Sequence, residues 1–207
     1  MHRTGPNTSS PTRGISKKVV VIVGGPTDMD AARVCAERGH QVVLFEASDS
    51  LGGQLRYVTK PSLREAMSGI GRWLSEQLVR LNVDIRLRTA ATADLIIAKD
   101  PAVVVVAKGG LPNKGDFEGA DLTLSAWDVL DSKEAPGPSV LVADDQGDHQ
   151  RPSIVEFLVE QGATVELAVP DRRAFSDVDA SNAAAHLCKL NNGNATLAMR
   201  CSAPIFV

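Results

Sequence analysis

Residues 19–46 read VVVIVGGPTDMDAARVCAERGHQVVLFE, and the order of residue types in this stretch decides the fold. The β-branched run ends at Gly24-Gly25-Pro26, a helix is predicted from Asp28 to Arg38, and Gly39 stops it. A second apolar run, QVVLF, then ends at Glu46. Strand, glycine turn, helix, glycine and strand in that order make a β-α-β unit. Neither run alternates strictly between apolar and polar residues, which predicts strands covered by helices on both faces, and the short connections require parallel pairing with a right-handed crossover.

Working outward, Ser62–Leu81 has helical spacing, with Ile70, Trp73, Leu74, Leu78 and Leu81 on one apolar face. VDIRL at 83–87 and AVVVVA at 102–107 supply two more strands. Residues 111–138 are polar and rich in turn formers apart from an apolar stretch around Trp127, and read as a connecting segment. The opening pattern then returns: SVLVA at 139–143, a glycine-containing turn DDQGDHQRP, the helix-like SIVEFLVEQ, Gly162, and TVELAV at 164–169. A helix near Ala180–Lys189 and a last short strand within NNGNATLAM complete the chain. The predicted class is α/β, with Rossmann-like three-layer parallel sheets in two related β-α-β-containing units. Residues 1–16 form a flexible tail, 17–110 a unit of the FAD- or ADP-binding type, 111–138 the connection, and 139–207 a partial unit of the NAD(P)-binding type.

The 207 residues are 43% hydrophobic, enough for a core and against disorder throughout. With 22 Lys and Arg against 25 Asp and Glu, the net charge of -3 offers no global attraction to nucleic acid or an anionic membrane, so neither is expected as a partner. Three cysteines without a C-x-x-C pattern indicate neither a disulfide framework nor a cysteine zinc site, and fit a reducing cytoplasm. No apolar run is long enough to span a bilayer.

The turn after the first strand is where chemistry is expected. Dinucleotide sites place G-x-G-x-x-G there, because the glycines allow a tight turn, close approach of the pyrophosphate and close helix packing. The window here is Val23-Gly24-Gly25-Pro26-Thr27-Asp28, with glycine at the central position only. Asp28 opposes an anionic ligand at a helix N-terminus, or caps its own helix, the preferred reading. Glu46 stands where a carboxylate accepts ribose hydroxyls, and is otherwise a solvated loop acid. Gly52-Gly53-Gln54 either brings backbone close to a dinucleotide or simply forms a turn. Asp144, Asp145 and His149 invite a metal reading, but a further set of placed ligands is missing, and the carboxylates make a poor phosphate cradle. No nucleophile with an adjacent base stands out. Cys35 reads as a small buried residue, His40 as a local hydrogen-bonding group, Trp73 as core and Trp127 as an anchor.

The strings at 17–56, 73–87 (WLSEQLVRLNVDIRL), 101–110 (PAVVVVAKGG) and 139–170 together resemble the C-terminal dinucleotide-domain region of the trimethylamine dehydrogenase and 2,4-dienoyl-CoA reductase family, from about Lys17 to Leu197. Larger members join such a region to an FMN-binding barrel with an iron-sulfur cluster, oxidise amines or reduce unsaturated acyl groups, and pass electrons between flavin, cluster and a nicotinamide or flavoprotein. The family's glycines correspond to Val23, Gly25 and Asp28, its acidic ribose ligand to Glu46, and its Gly-Gly-Gln segment to Gly52, Gly53 and Gln54. Lys108 replaces the threonine of its A-T-G turn, followed by Gly109. The resemblance implies an ADP or FAD site built from Gly24, Gly25, Pro26, Glu46, Gly52, Gly53, Gln54 and Gly109, with binding that is weak or absent, and no catalytic or metal-ligating residue. It also implies that FMN and the cluster belong to a partner. The DDQG form at 144–147 resembles the amine-dehydrogenase branch, where this region is structural. The expected role is that of an accessory or small subunit of a flavin-dependent oxidoreductase, beside an FMN-barrel subunit or self-associated. The alternatives are an independent FAD- or NAD(P)H-dependent reductase and a non-enzymatic structural or regulatory protein.

Overall fold

The structure is a computed structural model and describes residues 15–112, 114, 118–131, 136–143, 149–169, 175 and 177–199. The expected tail up to residue 14 and the DDQG turn lie outside them. The chain divides into two compact units: one takes the chain up to Arg56 together with Met67–Gly110, the other Tyr57–Ala66 together with the chain from Leu111 onward.

The first unit is built on β1 (Lys18–Ile22), α1 (Pro26–Glu37) and β2 (Gln41–Phe45). After a short helix, α2 (Leu55–Val58), the predicted long helix is broken: Ser62–Met67 is a 3-10 turn, and α3 runs over Ser68–Arg80. Then come β3 (Asp84–Arg86), α4 (Ala93–Ile97) and β4 (Val103–Val106). All pairings are parallel, in the order β3-β2-β1-β4. Ile22 is level with Phe45 on one side and Val106 on the other, so three strands end together. That end is the crevice where chain direction switches from one side of β1 to the other.

Alternation along a strand sends successive side chains to opposite faces. Val19, Val21, Val42, Leu44 and Val105 therefore share one face, and they pack with Met29 and Ala32 of α1 and Leu74 and Leu78 of α3. Both long helices lie on this face because β1→β2→β3 proceeds in one direction with right-handed crossovers. The β3→β4 crossover, which carries α4, runs in the reverse direction and so passes over the other face. On the other face Val20 and Phe45 are buried, whereas Val104 and Val106 of edge strand β4 are 41% and 59% exposed. The reading of Trp73 as core is corrected. It is 49% exposed, with the Arg33 guanidinium 5.4 Å from its ring centre, because Leu74 and Leu78 alone fill the narrow contact with the sheet. Ile70 is likewise exposed.

The second unit contains α5 (Ala126–Leu130), β5 (Ser139–Ala143), α6 (Gln150–Glu160), β6 (Thr164–Val169), α7 (Ala180–Asn191) and β7 (Ala195–Met199). Its strands are parallel in the order β5-β6-β7. Val165, Leu167 and Val169 point into a core with Val155, Leu158, Phe175 and Leu190, while Glu166 faces out. Tyr57, Val129 and Leu130 join this core, so the stretch read as a connection contributes to it. Tyr57 stacks on Trp127 at 4.8 Å between ring centres.

Candidate functional site

The strand ends of the first unit carry the candidate residues. β1 gives way to the turn Val23-Gly24-Gly25, and Gly25 is the N-cap of α1 with no side-chain cap bond. Pro26 follows at the first helical position, where its fixed φ suits the helix and its missing N–H costs nothing within it. Asp28 is therefore not the cap that the sequence suggested. It sits one turn inside, fully buried, and its Oδ1 accepts from the Ala107 N–H at 3.0 Å, tying α1 to the end of β4. Among the described residues its Oδ2 has no hydrogen-bond partner. Burial pushes the Asp28 carboxyl up to about 6, against the pull of the Ala107, Gly25 and Asp28 N–H groups and with a further push from the Glu46 charge.

Val23 takes the position of the first motif glycine and retains a glycine-type backbone, with φ of +80°. A β-branched residue in that region is strained. The turn holds nonetheless, because the Val23 N–H donates to the Phe45 carbonyl at 2.8 Å.

Glu46 reaches back across this turn. Its Oε2 accepts from the Gly24 N–H at 2.6 Å, and its Oε1 accepts from the Ser48 N–H and Oγ–H, both at 2.7 Å. Burial pushes the Glu46 carboxyl up, but the donors from Ser48, Gly24 and Ala47 outweigh it and hold the group below its ordinary value. It is an ionised, oriented acceptor rather than a loosely solvated acid.

The third segment closes on the first. Gly52 donates its N–H to the Gly24 carbonyl at 2.8 Å. A Cβ on Gly53 would lie 3.0 Å from the Gly25 Cα, and one on Gly24 would lie 2.6 Å from Leu51 Cδ2 and 3.0 Å from Glu46 Oε2. From the fourth loop, the Gly110 carbonyl accepts from Gln54 Nε2 at 3.0 Å, and a Cβ on Gly109 would meet the same nitrogen at 3.0 Å. Gly24, Gly25, Pro26, Glu46, Gly52, Gly53, Gln54 and Gly109, distant in sequence, thus meet at one end of the sheet.

Ser48, which orients Glu46, and the Asp28–Ala107 tie escaped the sequence reading. The S-D-S run just after the strand end is the one signal that could have found Ser48. Also missed was a polar cluster in the second unit. Buried Glu156 accepts from the Ser62 Oγ–H and Leu63 N–H, both at 2.9 Å, and its Oε2 lies 3.8 Å from Nδ1 of buried His186. Burial, with the charges of Arg64 and His149, pushes His186 down to about 4. A glutamate inside the apolar run SIVEFLVE was the available signal. His40 accepts from the Lys17 N–H at 3.4 Å, a local role, and Cys35 is half-buried. Among the described residues, no group of three or more His, Cys, Asp or Glu side chains is arranged to hold a metal ion.

A parallel sheet with a glycine turn into a helix at one strand end and an acid at the next defines the Rossmann-like dinucleotide-binding architecture. A dinucleotide fits these residues only in part. Glu46 Oε2 accepts from the Gly24 N–H, and a carboxylate oxygen has a second lone pair with which to accept a ribose hydroxyl. The pyrophosphate position is different: Pro26 offers no N–H, and the buried Asp28 carboxyl lies in the first turn, close to Gly25.

No protein-family model matches the chain. It is 42% identical over 167 residues to a probable N-methylproline demethylase of Rhizobium meliloti (strain 1021), a match covering 80% of this chain and 25% of that protein. It is 41% identical over 174 residues to an N,N-dimethylglycine/sarcosine dehydrogenase of Chromohalobacter salexigens, with the same shares. Among solved structures, a 2-naphthoyl-CoA reductase in complex with 2-naphthoyl-CoA superposes with a TM-score of 0.86 at 30% identity, covering 94% of this chain and 30% of the other. Over most of its length the chain is thus related to one region of longer flavin-dependent oxidoreductases, akin to amine dehydrogenases, demethylases and NADH oxidases. It spans about a quarter of the length of the curated relatives it matches. No helix among the described residues is long and apolar enough to cross a membrane.

Proposed function

We propose that this chain serves as an accessory or small subunit of a flavin-dependent oxidoreductase of the amine-oxidising or demethylating kind. It holds an adenine nucleotide weakly, or supports the assembly structurally, beside an FMN-barrel catalytic partner. The observation that carries the reading is the Glu46 carboxylate, fixed by Gly24 and Ser48 at the strand ends where the ribose of a nucleotide is held in this architecture. The names of the two relatives at 42% and 41% identity, a demethylase and an amine dehydrogenase, supply the reaction class.

In this reading the chain's own residues bind and orient. Glu46 accepts from a ribose hydroxyl, Gly24 and Gly53 keep the turn free of side chains, and Gln54 latches the second loop to the last. FMN and an iron-sulfur cluster, which supply the redox chemistry, belong to the partner. Free thiols at Cys35 and Cys188 agree with residence in a reducing cytoplasm. The exposed valines of β4, and its second edge, which no described strand pairs with, favour a structural or regulatory version of the same role, in which another surface covers them.

Native mass spectrometry with ultraviolet-visible spectroscopy on protein purified gently from its source tests the proposal. The expected result is a larger assembly carrying FMN, a cluster or an adenine nucleotide. A colourless, nucleotide-free monomer would overturn it.

A further inference from the structure

The geometry points to Asp28 as an internal anion that stands in for the pyrophosphate of a dinucleotide, so that the site's ligand class is an uncharged nucleoside, a ribose diol such as adenosine. This rests on the reading of Glu46 as a ribose acceptor. The first turn of a 12-residue helix is a ready anion site, through its free N–H groups and the positive end of the helix dipole. Here the chain supplies the anion itself. The Asp28 carboxyl takes the Ala107 N–H, and the Gly25 and Asp28 N–H groups lie near enough to draw on it. Pro26 removes one more donor from the turn.

Two further observations separate a change of charge from a loss of the site. Val23 keeps the glycine-type backbone, so the turn has the shape of an intact motif although the glycine is gone. Asp28 Oδ2 is buried, has no hydrogen-bond partner among the described residues, and lies against the turn, 3.2 Å from where a Cβ on Gly25 would stand. A diphosphate against Gly25 would meet this carboxylate at short range, where like charges repel. A nucleoside has no charge to place there and still offers its hydroxyls to Glu46.

Calorimetric titration of the full chain with adenosine, AMP and ADP tests the inference. The wild type should bind adenosine at least as tightly as ADP. Asp28→Asn removes the charge at nearly constant shape, and should raise affinity for ADP about tenfold relative to adenosine, the equivalent of about 1.4 kcal/mol. Glu46→Gln should weaken both ligands in either background. Tenfold tighter binding of ADP than adenosine by the wild type would overturn the proposal without recourse to any variant. So would an ADP-to-adenosine ratio unchanged by Asp28→Asn, or binding of ADP by that variant with no binding of adenosine. Absence of all binding in wild type and variant alike would remove the ribose reading itself, and this inference with it.

Discussion

Replacing Asp28 by Asn should stabilise the first unit at neutral pH and lose that advantage in acid. Burial raises this carboxyl from an ordinary value of 3.8 to about 6. Below 3.8 the folded and unfolded chains both hold the proton and the group is neutral in each. Between 3.8 and about 6 only the folded chain holds it, so stability falls as pH rises. Above about 6 the folded chain bears the full cost of a buried charge. At about 1.4 kcal/mol per pKa unit the ceiling is about 3 kcal/mol, and screening by water beside the first turn of α1 reduces this to about 1–2 kcal/mol. Asparagine keeps an oxygen for the Ala107 N–H and carries no charge. The two tryptophans, one per unit, allow each to be followed alone. In a Trp127→Phe background, Trp73 reports on the first unit, and urea titrations at pH 8, 7, 6, 5 and 4 give its stability with and without Asp28→Asn. The variant should lead at pH 8, and its lead should shrink steadily between pH 6 and 4. A lead that is absent at pH 8, or that grows on acidification, would show that Asp28 is not a buried carboxylate under strain.

Val23→Gly should raise the same midpoint by about 1 kcal/mol, the relief of a left-handed valine less the added freedom of glycine in the unfolded chain. Gly24→Ala should lower it by about 1–3 kcal/mol, since its Cβ meets both Leu51 and Glu46; equal melting temperatures would show that the loop yields. In the second unit, followed by Trp127 in a Trp73→Phe background, Glu156→Ala should cost about 3 kcal/mol by stranding the Ser62 and Leu63 donors, while Glu156→Gln should cost less. His186 gives that unit the opposite acid response. Its folded value of about 4 lies below the ordinary 6.5, so stability is lost as pH falls through this interval, by about 1–3 kcal/mol, and His186→Phe should flatten the profile seen in acid melts.

The strands and their order of appearance were legible because four apolar runs are punctuated by glycine, proline and acids, and the first and second units share that punctuation. Gly39 at +83° and Gly162 at +89° close α1 and α6 as their positions predict. The exposure of the β4 valines was not legible: apolar runs look alike whether a helix, another chain or water lies against them. Trp73 misled for a related reason, since helical spacing identifies a face and not its width. At the site, Glu46 and the three glycine-containing loops could be named from spacing and resemblance. What Asp28 does could not, because its partner Ala107 is 79 residues away. A capping aspartate and a buried tie differ by less than one helical turn.

The chain enters the first unit, leaves it at Arg56 for the ten residues from Tyr57 to Ala66, and returns at Met67. During synthesis those ten residues emerge long before the core that Tyr57 joins and the Glu156 carboxylate that Ser62 and Leu63 cap. The first unit can close on completion of β4, holding an unsatisfied loop in waiting, whereas the second cannot finish without material made well before its own strands. Cutting the gene after Gly110 would therefore not separate two independent pieces: the upstream product would carry residues 57–66 without their packing partners, exposed to proteases, and the downstream product would lack Tyr57 from its core and the donors that satisfy Glu156.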